Sequence, residues 1–146
     1  QWEDYVKQFE IHVGGMFNLL HVFAPEMLRR GEGCFVALTT LYTDLPEVQL
    51  PHYISAKSSL EGFVRVAAKE LGPNGVRLNM VSPGMVDTAL ITDVPEKTLL
   101  IEKANTPLKS ISTPEQVAEA ICFLGSEKAA QITGETIRVN GGRVMR

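Results

Sequence analysis

The sequence has no run of basic residues and no apolar stretch near the ~20 residues that span a bilayer. Its formal net charge is −3, and no stretch alternates basic with aromatic side chains. A nucleic-acid surface concentrates lysine and arginine, because these residues neutralise phosphates. We therefore expect neither a nucleic-acid partner nor a membrane-spanning segment.

Cysteine is also scarce, since only Cys34 and Cys122 occur among 146 residues. Each lies within a short apolar run, which predicts a buried thiol rather than a disulfide. No spacing of histidine, cysteine and acidic residues is typical of a metal site. Few cysteines and no signal peptide predict a cytoplasmic, reducing compartment. Because the first residue is Gln1 rather than Met, we expect a processed chain or a piece of a longer one.

Apolar residues three and four positions apart predict a first helix over residues 2–30. Pro25 is expected to kink or restart this helix, and Gly14-Gly15 to pack closely against a neighbouring element. Further helices are predicted at 51–71, at 96–103 and from a capping Thr113 to about Gly125. The weakly patterned segment 85–107 is expected to be a mobile cover.

Short apolar runs at 34–38 and 76–81 predict strands buried on both faces, and a third strand is predicted within 134–142. Alternating helices and strands predict an α/β fold with a parallel sheet and right-handed crossovers. Three such strands are half of a doubly wound fold, so we predict that residues 1–146 form a single partial domain. The apolar edge of the first strand is then expected to be covered by a missing N-terminal half or another chain.

Tyr53 and Lys57 stand four residues apart in the second predicted helix, so their side chains share one face. A neighbouring ammonium stabilises phenolate and lowers the pKa of a phenol from its ordinary value near ~10. The pair therefore predicts a proton donor for a carbonyl group. A surface tyrosine beside a solvated lysine is the simpler alternative.

Four signals follow one another in order: Tyr53-x-x-x-Lys57, then Asn79, then Pro83-Gly84 with Thr88, and finally Gly134-Glu135-Thr136 with Asn140-Gly141-Gly142. In this order the sequence resembles the C-terminal half of a short-chain dehydrogenase/reductase, closest to the 3-oxoacyl-carrier-protein reductase branch. The resemblance implies a Rossmann-type sheet. It also implies NAD(P)-dependent hydride transfer between a nicotinamide and a small carbonyl or alcohol substrate.

The resemblance also assigns catalytic roles. Tyr53 would be the general acid or base, and Lys57 would tune the phenol and hold the nicotinamide ribose. Thr40 stands thirteen residues before Tyr53, where the family has a serine that binds the substrate carbonyl. His12 stands where the family has an asparagine in a water-linked proton path. Imidazole can shuttle protons, but a packed helical histidine with a broken relay is an equal alternative.

For the cofactor, the resemblance implies that Pro83 and Gly84 lie against the nicotinamide ring. The Val86 backbone and the Thr88 hydroxyl would bind its carboxamide. A plain Ser-Pro-Gly turn is the alternative. No glycine-rich turn for the pyrophosphate is present, because Gly31-Glu32-Gly33 precedes a strand and lacks a third glycine. The choice between NAD and NADP stays open.

Other functions remain open from the sequence. A noncatalytic pseudo-reductase or scaffold would explain the threonine and histidine substitutions, and a dinucleotide sensor would bind cofactor without turnover. The family further implies a homodimer or homotetramer built through the two long helices and the last strand, with small residues such as Gly62, Ala67 and Ala68 at the contact. The apolar side chains of segment 85–107 favour a partly apolar carbonyl substrate.

Overall fold

The computed structural model of the chain describes residues 1–145. One parallel sheet has the strand order β1-β2-β3, with β1 at Gly33–Leu38, β2 at Val76–Pro83 and β3 at Thr136–Val139. The α-helices of the described part are α1 (Trp2–Phe9), α2 (Gly15–Arg30), α3 (Pro51–Leu71), α4 (Glu96–Asn105) and α5 (Pro114–Gly125). The predicted α/β class and the parallel three-stranded sheet are confirmed.

The predicted first helix is interrupted by a π-helical turn at Glu10–Gly14, which joins α1 to α2. A π turn holds one more residue than an α turn and is frequent at functional sites. Pro25 does not restart the helix, because α2 runs through it to Arg30. Ala24 is buried beside it, and packing against the core holds the helix on both sides of the proline.

The interpretation of Gly14-Gly15 as a close contact is wrong within the described residues. A Cβ on Gly15 would meet nothing within 4 Å, and one on Gly14 would meet only the carbonyl oxygen of Phe9 at 3.8 Å. Both glycines face open space. Their presence in a helix is not explained by packing inside this chain.

Side chains alternate across β2 and divide the core into two layers. Leu78 and Met80 face the helices α2 and α3, whereas Val81 faces α5. Each of these three side chains is fully buried. The sheet therefore has helices on both faces, as expected for a doubly wound fold.

The first strand is less covered than predicted. Phe35 and Ala37 are buried under α2 and α3, but Leu38 is 46% exposed. Among the described residues, β1 pairs with a strand along one edge only. Leu38, the last residue of β1, is thus not buried as predicted.

Two further predictions concern the cysteines and the segment 85–107. Cys34 is half-buried, but Cys122 is exposed because it lies on the outer side of α5, away from the buried Val117 and Leu124. The prediction of two buried thiols is therefore wrong for Cys122. Within segment 85–107, helix α4 extends two residues beyond the prediction, and the mobility of the segment stays a prediction.

No helix in the part of the chain that the structure describes is long and apolar enough to cross a membrane.

A glycine at the loop before β2 provides a test of the fold. Gly75 has φ of 76°, and a Cβ there would overlap the carbonyl oxygen of Gly31. We expect Gly75→Ala to lower the free energy of unfolding by more than about 1 kcal/mol, because both the backbone conformation and the space are unfavourable. Gly125→Ala is the control, since a Cβ at Gly125 meets nothing within 4 Å. Urea denaturation that ranks the two variants equally would contradict this packing.

Candidate active site

The candidate site lies at the carboxyl end of β1, where α3 begins. Thr40 follows β1 directly and starts a short 3₁₀ turn at Leu41–Thr43. Pro51 occupies the first turn of α3, and Tyr53 follows two residues later. Ligands of open parallel sheets bind at the carboxyl ends of the strands, so this position suits a functional site.

Lys57 is buried one turn further along α3. Its Nζ donates a hydrogen bond of 2.8 Å to the backbone oxygen of Leu38, at the end of β1. The ammonium lies 5.7 Å from the centre of the Tyr53 ring. Removal of the charged group from water lowers the pKa of Lys57 to about 8. A substantial part of this amine is therefore neutral near pH 8.

The phenol of Tyr53 behaves differently from the prediction. Burial raises the pKa of Tyr53, and the nearby Thr40 side chain opposes that rise. The Lys57 ammonium donates its hydrogen bond to the Leu38 carbonyl, and the pKa of the phenol is shifted upward. This direction is opposite to the prediction that the lysine brings the phenol near ionisation.

Thr40 is held with its hydroxyl close to this phenol. The residue is buried, and its Oγ1 accepts a 3.4 Å hydrogen bond from the backbone N–H of Tyr42. A threonine hydroxyl that accepts one bond keeps its own proton to donate. Thr40 can thus act as a donor at the position where the sequence predicted one.

His12 reaches the same cluster from the π turn. Its ring lies 5.6 Å from the Tyr53 ring, centre to centre, at an interplanar angle of 74°. Burial and then the positive charge of Lys57 lower the pKa of His12. The imidazole is therefore neutral at pH 7 and can both donate and accept a proton. The structure brings His12, Thr40, Tyr53 and Lys57 together.

The residues predicted to contact the nicotinamide ring and its carboxamide lie at the end of β2 and directly after it. A Cβ on Gly84 would lie 3.1 Å from Cβ of Asn140, so packing against Asn140 favours a glycine here. Pro83 is the last residue of β2. The glycine therefore has a reason within the chain, and it does not by itself indicate a ring bound at this point.

Val86 and Thr88 present groups that fit a carboxamide. The backbone oxygen of Met85 and the N–H of Asp87 bond to Ser112, so the amide groups of Val86 point away from that bridge. The Thr88 hydroxyl accepts a 3.3 Å bond from the N–H of Leu90 and retains a proton to donate. The chemistry of these donors and acceptors, an amide and a hydroxyl, is the kind that a carboxamide requires.

The pyrophosphate of a dinucleotide has no comparable seat in residues 1–145. Gly31 ends α2 in the left-handed conformation, whereas a phosphate-binding turn precedes a helix and presents its N–H groups. A cavity of about 680 Å³ beside Gly31 and Gly33 lies at the amino end of the sheet, and none of the candidate site residues lines it. The cavity and the candidate site therefore lie at opposite ends of the strands.

Sequence reasoning missed two charged residues near Thr40. Asp44 accepts hydrogen bonds from the guanidinium of Arg138, although 94 positions separate the two residues. Tyr42 was missed as well, although it follows Thr40 by two residues and lies near Tyr53, Glu102 and Arg143. No local spacing of residues in the sequence predicts the ion pair between Asp44 and Arg138. Tyr42 could have been found from its position in the loop.

The shifted pKa of Lys57 makes a prediction with a definite sign. The folded-state pKa of about 8 lies below the ordinary value of 10.5, so the unfolded chain binds more protons between these two pH values. Stability relative to a Lys57→Met variant should therefore rise with pH from about 8 to 10.5, by up to about 3 kcal/mol. Urea denaturation across this range measures it. A difference that stays flat with pH would show that the amine is not buried as described.

Comparison with known proteins gives this arrangement a family. The sequence model of the family described as Enoyl-(Acyl carrier protein) reductase matches residues 1–143. The 3-oxoacyl-(acyl-carrier-protein) reductase FabG of Staphylococcus epidermidis is 32% identical over 99% of this chain and 58% of its own length. The (3R)-3-hydroxyacyl-CoA dehydrogenase of Mus musculus is 31% identical over 98% of this chain and 56% of its own length.

Solved structures agree with the sequence match. A 7α-hydroxysteroid dehydrogenase complexed with NADH and 7-oxo glycochenodeoxycholic acid superposes with a TM-score of 0.94 at 28% identity, over 100% of this chain and 58% of that protein. The 3-oxoacyl-(acyl-carrier-protein) reductase of Brucella melitensis gives a TM-score of 0.86 at 28% identity, over 90% and 50%.

The chain spans about half the length of the relatives it matches. Its sheet and flanking helices follow the Rossmann fold of those structures. The match over almost the whole chain shows that it belongs to the short-chain dehydrogenase/reductase family of oxidoreductases, and it fits the 3-oxoacyl-(acyl-carrier-protein) reductase-like branch.

Proposed function

We propose that the chain is the catalytic and substrate-side part of an NAD(P)-dependent oxidoreductase that interconverts a carbonyl compound and an alcohol. The convergence of Thr40, Tyr53 and Lys57 at the carboxyl end of β1 is the observation that carries this proposal. The hydroxyl, phenol and amine come from two separate elements and share one buried corner. A surface tyrosine with a solvated lysine would not have this geometry.

In this proposal Tyr53 protonates the carbonyl oxygen, or accepts the alcohol proton in the reverse direction. The raised pKa keeps the phenol protonated at pH 7, as a general acid requires. Thr40 donates a hydrogen bond that orients the same oxygen. The bound nicotinamide would supply or accept the hydride.

Lys57 and His12 would handle the proton that Tyr53 gives up. Lys57 would hold the hydroxyls of the nicotinamide ribose, and Val86 and Thr88 would fix the carboxamide beside Pro83 and Gly84. A neutral imidazole against the phenol ring can pass a proton between solvent and the buried amine.

The dinucleotide phosphates would be bound outside residues 1–146. We infer that these residues are one partial domain and that an N-terminal half of the same protein, or another chain, supplies the phosphate-binding turn. The coverage of 56–58% of the curated relatives supports this. The open edge of β1 is where such a strand would pair. The choice between NAD and NADP would then depend on residues outside this chain.

The substrate would be a ketone paired with a secondary alcohol. The names of the matched proteins refer to an oxo or a hydroxy group: two are 3-oxoacyl reductases, one is a 3-hydroxyacyl-CoA dehydrogenase and one is a 7α-hydroxysteroid dehydrogenase. Exposed Leu90, Leu100 and Ile101 in segment 85–107 give the covering segment an apolar surface. We propose that a partly apolar carbonyl compound binds beneath it.

Replacement of one phenol tests the catalytic assignment. In the intact protein, Tyr53→Phe should reduce carbonyl-dependent NAD(P)H oxidation at least about 100-fold, because the proton donor is removed. Tyr5→Phe is the matched control, since Tyr5 stacks on Trp2 outside the site. Equal rates for Tyr53→Phe and the unchanged protein would eliminate this assignment.

A noncatalytic scaffold is the second candidate. Two observations favour it: Thr40 and His12 replace the residues of the family pattern, and the pKa of Tyr53 is raised rather than lowered. A scaffold of this kind would bind no dinucleotide. Calorimetric titration of the intact protein with NADH and NADPH decides between the two, because tight binding of either is expected only for the oxidoreductase.

We also propose that the protein forms a homodimer or homotetramer. Large apolar side chains are exposed on the outer side of the first two helices and α3: Trp2, Val6, Phe17, Val22, Phe23 and Val66. Such a surface, left uncovered by the residues that the structure describes, suits contact with a second copy.

Light scattering on the intact protein tests the assembly. We expect a dimeric or larger mass that Phe23→Glu reduces, because a charge would be buried at the contact. Val48→Glu, on an exposed loop, should leave the mass unchanged. A monomeric mass for the unchanged protein would contradict the proposal.

A further inference from the structure

The loop that carries Thr40 is fixed at its far end by an ion pair. The Nε of Arg138 donates to Oδ2 of Asp44 at 2.9 Å, and one terminal nitrogen lies 2.8 Å from the same oxygen. The Asp44 side chain is 13% exposed and that of Arg138 is 27% exposed. Partly buried pairs with this geometry fix positions better than solvated ones, because fewer alternative conformers compete.

The pair connects two strands that are not neighbours. Asp44 follows β1, Arg138 lies on β3, and β2 runs between them. In the sheet register Arg138 stands beside Ser82. Ser82 is buried, and its hydroxyl has no hydrogen-bond partner in this structure. A small residue on β2 therefore leaves room for the arginine side chain to reach the loop.

Short contacts connect Asp44 to Thr40 through the turn. The N–H of Asp44 donates to the oxygen of Leu41 at 3.0 Å. The Thr43 hydroxyl lies 2.9 Å from the oxygen of Thr40 and 2.8 Å from Oε1 of Glu61 on α3. A hydroxyl has one proton, so it serves only one of these two acceptors at a time. The ion pair with Arg138 is one of the contacts that hold the far end of the turn.

The influence of this pair on the site is geometric. Burial and the Thr40 hydroxyl set the pKa of Tyr53, and burial sets the pKa of Lys57. Asp44 and Arg138 are connected to the site through the turn that begins at Thr40. A change at the ion pair would therefore reach the phenol through the position of Thr40.

We propose that Asp44 and Arg138 are positioning residues that hold the Thr40 hydroxyl against the Tyr53 phenol. The catalytic consequence rests on the proposed function. The positioning of the Thr40 hydroxyl does not rest on the proposed function, because this hydroxyl affects the titration of the Tyr53 phenol whether or not the protein catalyses a reaction.

The experiment follows the Tyr53 phenol by ¹⁹F NMR in the intact protein labelled with 3-fluorotyrosine, with Tyr53→Phe to assign the signal. Asp44→Asn and Arg138→Met should both raise the pKa of the Tyr53 phenol, in the same direction as Thr40→Val. In a Thr40→Val background, Asp44→Asn should add no further shift, since the hydroxyl is already gone. The exposed pair Glu26 and Arg29 gives the controls Glu26→Gln and Arg29→Met, which should leave the titration unchanged.

Two outcomes overturn the proposal: a titration that the ion-pair variants leave unchanged, or one that they shift equally with and without Thr40. Arg138→Lys keeps the positive charge and should shift the pKa of the Tyr53 phenol less than Arg138→Met does. If a thermal melt shows that Arg138→Met does not fold, Arg138→Lys is used in its place. Where the protein turns over, kcat of Asp44→Asn should fall about three- to tenfold with KM less affected, as expected for loss of one aligned hydrogen bond. An unchanged rate in Tyr53→Phe would reject the proposed reaction, whereas the NMR titration judges the positioning role separately.

Discussion

The hydrogen bond between the Lys57 ammonium and the Leu38 carbonyl is the contact on which the candidate site depends. It connects the first turns of α3 to the last residue of β1. The Tyr53 phenol on α3 and the loop that begins at Thr40 are therefore held in a fixed relative position. Burial of a charged amine is unfavourable, and this is why the pKa of Lys57 is lowered. Retaining such a group at the carboxyl end of a strand is typical of a functional site rather than of a stability element.

The neighbours of this contact come from parts of the chain that are far apart in sequence. The π turn brings His12 to the Tyr53 ring, the 3₁₀ turn brings Thr40, and β3 supplies Arg138 to the loop. Each of these elements is short, and each is fixed by packing or hydrogen bonds to a regular element. A small shift in any of them changes the distance between groups that exchange or share a proton. The chemistry of the site therefore depends on irregular backbone supported by a regular sheet.

Much of the fold could be predicted because hydrophobic periodicity is a local signal. The runs ending at Leu38 and Val81 specify strands, and the capping Thr113 specifies the start of α5. The convergence of Tyr53, Lys57, Thr40 and His12 followed from the family resemblance, and their roles stay predictions. The direction of the Lys57 ammonium could not be predicted, because it depends on where β1 ends in space.

The remaining features depend on contacts between distant residues. The pairing of Asp44 with Arg138 joins positions 94 residues apart, and the exposure of Cys122 depends on which side of α5 packs on the sheet. The π turn could not be predicted from the spacing of the apolar residues. One extra residue in a turn changes that spacing less than it already varies along the helix. The reason for Gly84 likewise appears only when Asn140 lies beside it.

The π turn at Glu10–Gly14 also has a consequence for how such a site can change over time. A turn of this kind differs from an α turn by one residue, so loss or gain of a single codon converts one into the other. The apolar faces of α1 and α2 would keep their packing, while the residue aimed at Tyr53 would be exchanged for its neighbour. The identity of the group beside the phenol can thus vary among descendants of this gene without redesign of the surrounding helix.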